Sequence, residues 1–90
     1  MKLLVVEDDS ETAAYLLKGL GESGYTVDHA ADGREGLFLA TSGSYDAIVL
    51  DRMLPGMDGL ALLGALRGAH IHTPALILSE LELSQFVIEL

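Results

Sequence analysis

Four short apolar blocks punctuate the chain: "KLLVV" running into "EDD", then "YTVDHA", "DAIVL" running into Asp51, and "PALILS". Each is too short for a stable helix and scarcely alternates between apolar and polar positions. That is the pattern of strands buried on both faces. Between the blocks the period changes. Ala13, Leu16, Leu17 and Leu20 follow the i, i+3, i+4, i+7 spacing of one helical face, with Ser10 as a cap and Gly21 and Gly24 closing the helix. Asp32 and Glu35 make an acidic version of a capping box for a helix running to about Ser42. After a Pro55-Gly56 turn, Asp58 caps a third helix carrying Leu60, Leu63 and Leu66, with Gly68 near its end. Strand–helix alternation predicts a parallel sheet with helices on both faces. Right-handed crossovers narrow this to a doubly wound α/β fold.

Composition narrows the function. Ninety residues build one domain with a single core, and a hydrophobic share of 50% excludes a disordered chain. Fourteen acids against five bases leave a net charge of −9, which argues against nucleic-acid binding by this chain, since phosphates are met by Lys and Arg. The absence of cysteine removes disulfides, thiolate zinc sites and cysteine nucleophiles. The apolar run at the N-terminus is too short for a signal peptide or a membrane span. The expectation is a soluble cytoplasmic protein with no membrane association.

The acids at the strand ends carry the chemistry. Ligands of doubly wound sheets bind beyond the carboxyl ends of the strands, where strand order reverses. Glu7 and Asp8 follow the first strand and Asp51 follows the third, so adjacent strands would bring three carboxylates into one crevice. Uncompensated, such acids repel, and one tends to hold a proton. A hard cation such as Mg²⁺ resolves the conflict through carboxylates, water and phosphate. Ser79, closing the fourth strand at the same edge, adds a hydroxyl that can donate to a phosphoryl oxygen. A carboxylate beside Mg²⁺ is also a workable nucleophile for phosphoryl transfer, which accounts for an Asp at the end of an apolar strand. Strand-end acids taken singly often only cap helices or meet solvent; it is their coincidence that points to a site.

These segments resemble the response-regulator receiver domain of two-component signalling, most closely the branch fused to winged-helix DNA-binding domains. "LLVVEDD", "GYTVDHAADGREGL", "YDAIVLDRMLPGMDGL" and "TPALILS" match it in order over residues 2–79. The resemblance implies a flavodoxin-like fold and a phosphoacceptor at Asp51. It implies Mg²⁺ ligation by Asp8, by Glu7 through water, and by the backbone carbonyl of Met53. It further implies a phosphoryl contact from Ser79 and a phosphohistidine donor on a sensor histidine kinase. Catalysis would be limited to slow loss of the chain's own aspartyl phosphate, so an enzyme is not expected.

Beyond residue 79 the resemblance lapses. A receiver continues through a fourth helix, a fifth strand ending in a Lys-Pro pair and a fifth helix, whereas here "ELELSQFVIEL" follows the receiver-like core of residues 1–79. The only lysines are Lys2 and Lys18. The expectation is an incomplete fold of four parallel strands, with strand five missing or replaced by the tail, and impaired phosphoacceptor function. The competing function is a degenerate receiver fragment acting only through protein association. The tail, residues 80–90, packs on the core or is exchanged in a homodimer through the edge of strand four. Ser79 and Glu82 can cap a helix with Leu83, Phe86, Val87 and Leu90 on one face, while alternating Leu81 and Leu83 and the run "FVI" favour strand; the helical reading is slightly preferred. His29 reads as part of its strand face, His70 and His72 as a surface loop rather than a metal site, and the tyrosines as core or rim.

Overall fold

The computed structural model describes residues 1–51, 54, 57–78 and 86–89. Strand β1 (Lys2–Val6) leads into helix α1 (Ser10–Glu22), strand β2 (Thr26–Ala30), helix α2 (Gly33–Ser42), strand β3 (Ala47–Asp51), helix α3 (Gly59–Gly68) and strand β4 (Ala75–Leu78). A last strand, β5, covers Phe86–Glu89. The sheet order is β2-β1-β3-β4-β5, with β1, β2, β3 and β4 mutually parallel, so the fold is the doubly wound, flavodoxin-like α/β architecture. Strand order reverses between β1 and β3. Among the described residues, no helix is long and apolar enough to cross a membrane.

The unbroken apolar strands are central because only a central strand is covered on both faces. Leu4, Val5, Val6, Ile48 and Leu50 have almost no exposed surface. Burying side chains of this size stabilises the fold by roughly 1.5–3 kcal/mol each. Leu62 and Leu66 of α3 close the core from one side, with Ala40 of α2. Helix α2 approaches β1 closely because Gly36 has no side chain: a Cβ there would lie 2.9 Å from both γ carbons of Val6.

Helix starts follow the sequence with one shift. Asp58 caps α3 by accepting from the Ala61 N–H at 2.7 Å. Asp32 caps α2 by accepting from the Glu35 N–H at 2.8 Å, and Glu35 reaches back to the Ala31 N–H at 2.9 Å. The cap of α1 is Asp9 rather than Ser10. Its carboxylate accepts from the Thr12 N–H at 2.9 Å and the Thr12 hydroxyl at 2.6 Å, and Ser10 is the first helical residue. Gly21 lies within α1, and the chain turns after it at Gly24, whose φ of 93° suits a residue without a Cβ. The Pro55-Gly56 turn lies outside the described residues.

Leu60 is 49% exposed, because α3 is apolar nearly all round and Leu62, Leu63 and Leu66 fill its inner face. Two expectations need correction. Tyr15 is 71% exposed on α1 and belongs to neither core nor rim. The helical preference for the tail fails at Phe86–Glu89, which pairs antiparallel with β4 from Leu78↔Phe86 to Ala75↔Glu89. The reason lies in β4, whose edge offers a row of unpaired N–H and C=O groups that a helix cannot satisfy. An antiparallel return needs only a short connection, whereas a parallel fifth strand needs a crossover of a dozen or more residues.

Candidate functional site

The register of β1 against β3 builds the site. Leu3↔Ala47 through Val6↔Leu50 are partners, and one further step sets Glu7 opposite Asp51. Both chains leave the sheet there, at the carboxyl edge beside the reversal in strand order. Carboxylate oxygens of Glu7, Asp8 and Asp51 all lie within 4.8 Å of one another. Glu7 is buried, with 5% of its surface exposed, Asp51 is half-buried and Asp8 faces solvent. Among the described residues this is the one group of three or more side chains able to hold a metal ion.

The third acid of the "EDD" run serves a different purpose. Asp9 is the cap of α1, and hydrogen bonds from the Thr12 hydroxyl and N–H hold its carboxyl below the usual carboxylate range. Its own N–H donates to Glu7 Oε2 at 3.2 Å, which turns the buried carboxyl of Glu7 along the strand end. A strand end followed at once by a helix start therefore needs acids of two kinds: one for the cap and two for the crevice.

Crowding shows in the protonation of Glu7. Loss of water around its carboxyl is the largest effect, a hydrogen bond shared with Asp51 the next, and together with the charge of Asp51 they push its pKa up to about 8. The site thus holds a proton that a divalent cation would replace. An acid that titrates near 4.5 when unfolded and near 8 when folded makes the folded state the better proton binder between those values. Stability then falls as pH rises through that window, and the group adds no slope below or above it. In metal-free buffer the thermal midpoint is expected to drop by degrees between pH 5 and pH 8, roughly the span of that shift. Glu7→Gln should flatten the profile, as thermal melts at stepped pH will show; an unchanged slope in that variant would contradict a protonated Glu7.

Of the five site residues expected from sequence, Glu7, Asp8 and Asp51 are brought together, while Met53 and Ser79 lie outside the described residues. His70 and His72 are exposed, with ring centroids 6.5 Å apart. His29, which the sequence reads only as part of its strand face, also reaches the backbone of the site. Its Nε2 lies 2.8 Å from the backbone oxygen of Glu7. Only the register of β2 on β1, which sets His29 beside Val5, reveals that proximity.

Residues 3–90 match the family model described as the response regulator receiver domain. The transcriptional regulatory protein HprR of Escherichia coli K12 is 47% identical over 79 residues, covering 88% of this chain and 35% of HprR. The chain thus spans about a third of the length of the curated relatives it matches. Among solved structures, the receiver domain of Francisella response regulator 1452 superposes with a TM-score of 0.86 at 42% identity, covering 92% of this chain and 69% of that one. Response regulator TrrA of Thermotoga maritima, solved in complex with Mg²⁺ and BeF, gives a TM-score of 0.76 at 36% identity, covering 86% of this chain and 65% of TrrA.

Proposed function

Because the chain belongs to the response regulator receiver domain family, we propose that Asp51 is its phosphoacceptor, charged from a phosphohistidine of a sensor histidine kinase in the cytoplasm. One observation carries the reading: a nucleophilic carboxylate at the end of β3 shares a crevice with two more carboxylates, all within 4.8 Å. The donor set suits Mg²⁺, a hard ion that takes oxygen ligands. Glu7, Asp8 and Asp51 would hold it, with the Met53 carbonyl as a further oxygen. Bound there, it would supply the positive charge that offsets the phosphoryl oxygens. Similarity to TrrA, solved with Mg²⁺ and BeF, supports that choice.

The chain's own part is positioning. The ladder bonds of β3, with β1 on one side and β4 on the other, fix the backbone that carries the Asp51 carboxylate. One of its oxygens attacks phosphorus, and the phosphorus–nitrogen bond of the kinase histidine breaks with its electron pair returning to the imidazole, which takes a proton from solvent. An aspartyl phosphate remains, and the Ser79 hydroxyl is its proposed hydrogen-bond donor. Catalysis by this chain is confined to slow hydrolysis of that acyl phosphate.

Uptake is proposed to be impaired, because neither lysine stands near the acids. Lys2 begins β1 at the far end from Glu7, where its ammonium pairs with Asp28 at 3.6 Å, and Lys18 lies in α1. The antiparallel β5, where the resemblance implies a parallel strand, favours a second reading, in which the chain is a degenerate receiver fragment that acts by protein association alone. Incubation with phosphoramidate and Mg²⁺ separates the two. The first reading expects a slow mass gain of one phosphoryl group that a chelator prevents; no gain with Mg²⁺ bound favours the second.

A further inference from the structure

The parallel ladder between β1 and β2 ends at the lip of the acidic crevice. Its last backbone bond there runs from the Glu7 N–H to the Ala30 oxygen at 3.0 Å. Beyond it β2 turns away: the Ala31 N–H is taken by Glu35, and Asp32 becomes the cap of α2. In a parallel ladder the carbonyl of Glu7 would next accept from the N–H of residue 32. The bond found at that oxygen comes instead from the imidazole of His29, at 2.8 Å. A carbonyl can only accept, so Nε2 carries the proton in this contact.

That bond acts on the peptide joining the two metal-site acids that follow β1. The Glu7 N–H is fixed by Ala30, its side chain receives the Asp9 N–H, and its carbonyl receives His29. The plane of the Glu7–Asp8 peptide sets the direction in which the Asp8 side chain departs. Asp8 is exposed, so no packing against the core aims its carboxylate. The imidazole of His29 is exposed as well, so the core does not depend on it for volume.

We infer that His29 is a positioning residue for the cation site: by holding the Glu7 carbonyl it fixes the peptide that presents Asp8 toward Glu7 and Asp51. The inference rests on the Mg²⁺ reading of the acids. Groups that orient metal ligands without touching the metal commonly govern affinity as strongly as some ligands do. Gln is the informative replacement, because its amide nitrogen lies the same number of bonds from Cα as Nε2 and can donate to the same oxygen. Val keeps the strand and removes the donor.

The test is Mg²⁺ titration of the chain and of His29→Gln and His29→Val, followed by calorimetry or amide chemical shifts, with thermal melts in chelator alongside. His29→Val should bind Mg²⁺ about tenfold more weakly while melting as the parent does. His29→Gln should recover most of the affinity. Parent-like binding by His29→Val, or equal losses in both variants, overturns the inference while leaving the cation site intact. A parent chain that takes up no Mg²⁺ overturns the cation site and this inference together.

Discussion

Asp51→Asn should take up no phosphate from phosphoramidate under conditions in which the parent chain gains one phosphoryl group. The replacement preserves volume and leaves an oxygen that can accept the hydrogen bond from Glu7, so the strand end is undisturbed. It removes the only nucleophile held at the crevice by β3, because an amide oxygen is not an adequate attacking group. The electrostatic consequence runs the other way. Glu7 loses the neighbouring charge that helps push its pKa to about 8, so crowding at the crevice is relieved. The metal-free variant should therefore melt no lower than the parent. Intact mass with peptide mapping reads the first effect and thermal melts the second. A phosphoryl group on Asp51→Asn, mapped to any other residue, would contradict the assignment of the acceptor.

The second large effect lies beneath the site. Leu62 has no exposed surface and sits in the core cluster with Val6 and Leu50, the residues that precede Glu7 and Asp51 on their strands. An ideal Cβ on Gly36 would lie 3.5 Å from Leu62 Cδ2, so Leu62 fills the space that brings α2 close to β1. Leu62→Ala should cost about 2–5 kcal/mol, the sum of lost transfer energy and an uncollapsed cavity. Small domains have about 5–15 kcal/mol in total, so much of the stability goes with this one side chain. Urea denaturation should show a lower midpoint with an unchanged slope. A loss below about 1 kcal/mol would mean that the helix repacks freely and that α3 does not set the floor of the site.

The parallel core was legible because its signals are local. Apolar runs of strand length, acids at helix starts and right-handed crossovers together give four parallel strands, and the adjacency of β1 and β3, which the sequence leaves as a condition, puts "ED" beside Asp51. What sequence left open depended on partners distant in the chain. The tail carries both helical and strand spacing, and the free edge of β4 decides between them at Phe86–Glu89. The choice of Asp9 over Ser10 as cap turns on where β1 ends, which composition does not mark to within a residue. The role of His29 turns on strand register, a property of two strands that neither displays alone. Tyr15 stands exposed where core or rim is expected, because a hydrophobic residue on a helix need not face the core.

The proposed chemistry needs three carboxylates from two strand ends to share one divalent ion. Mn²⁺, a paramagnetic stand-in for Mg²⁺, tests this most directly when added in trace amount to the isotope-labelled chain while amide line widths are followed. Broadening should concentrate at Glu7, Asp8 and Asp51 and be reversed by excess Mg²⁺. Broadening spread evenly over the acidic surface, or absent from these residues, would contradict the shared site.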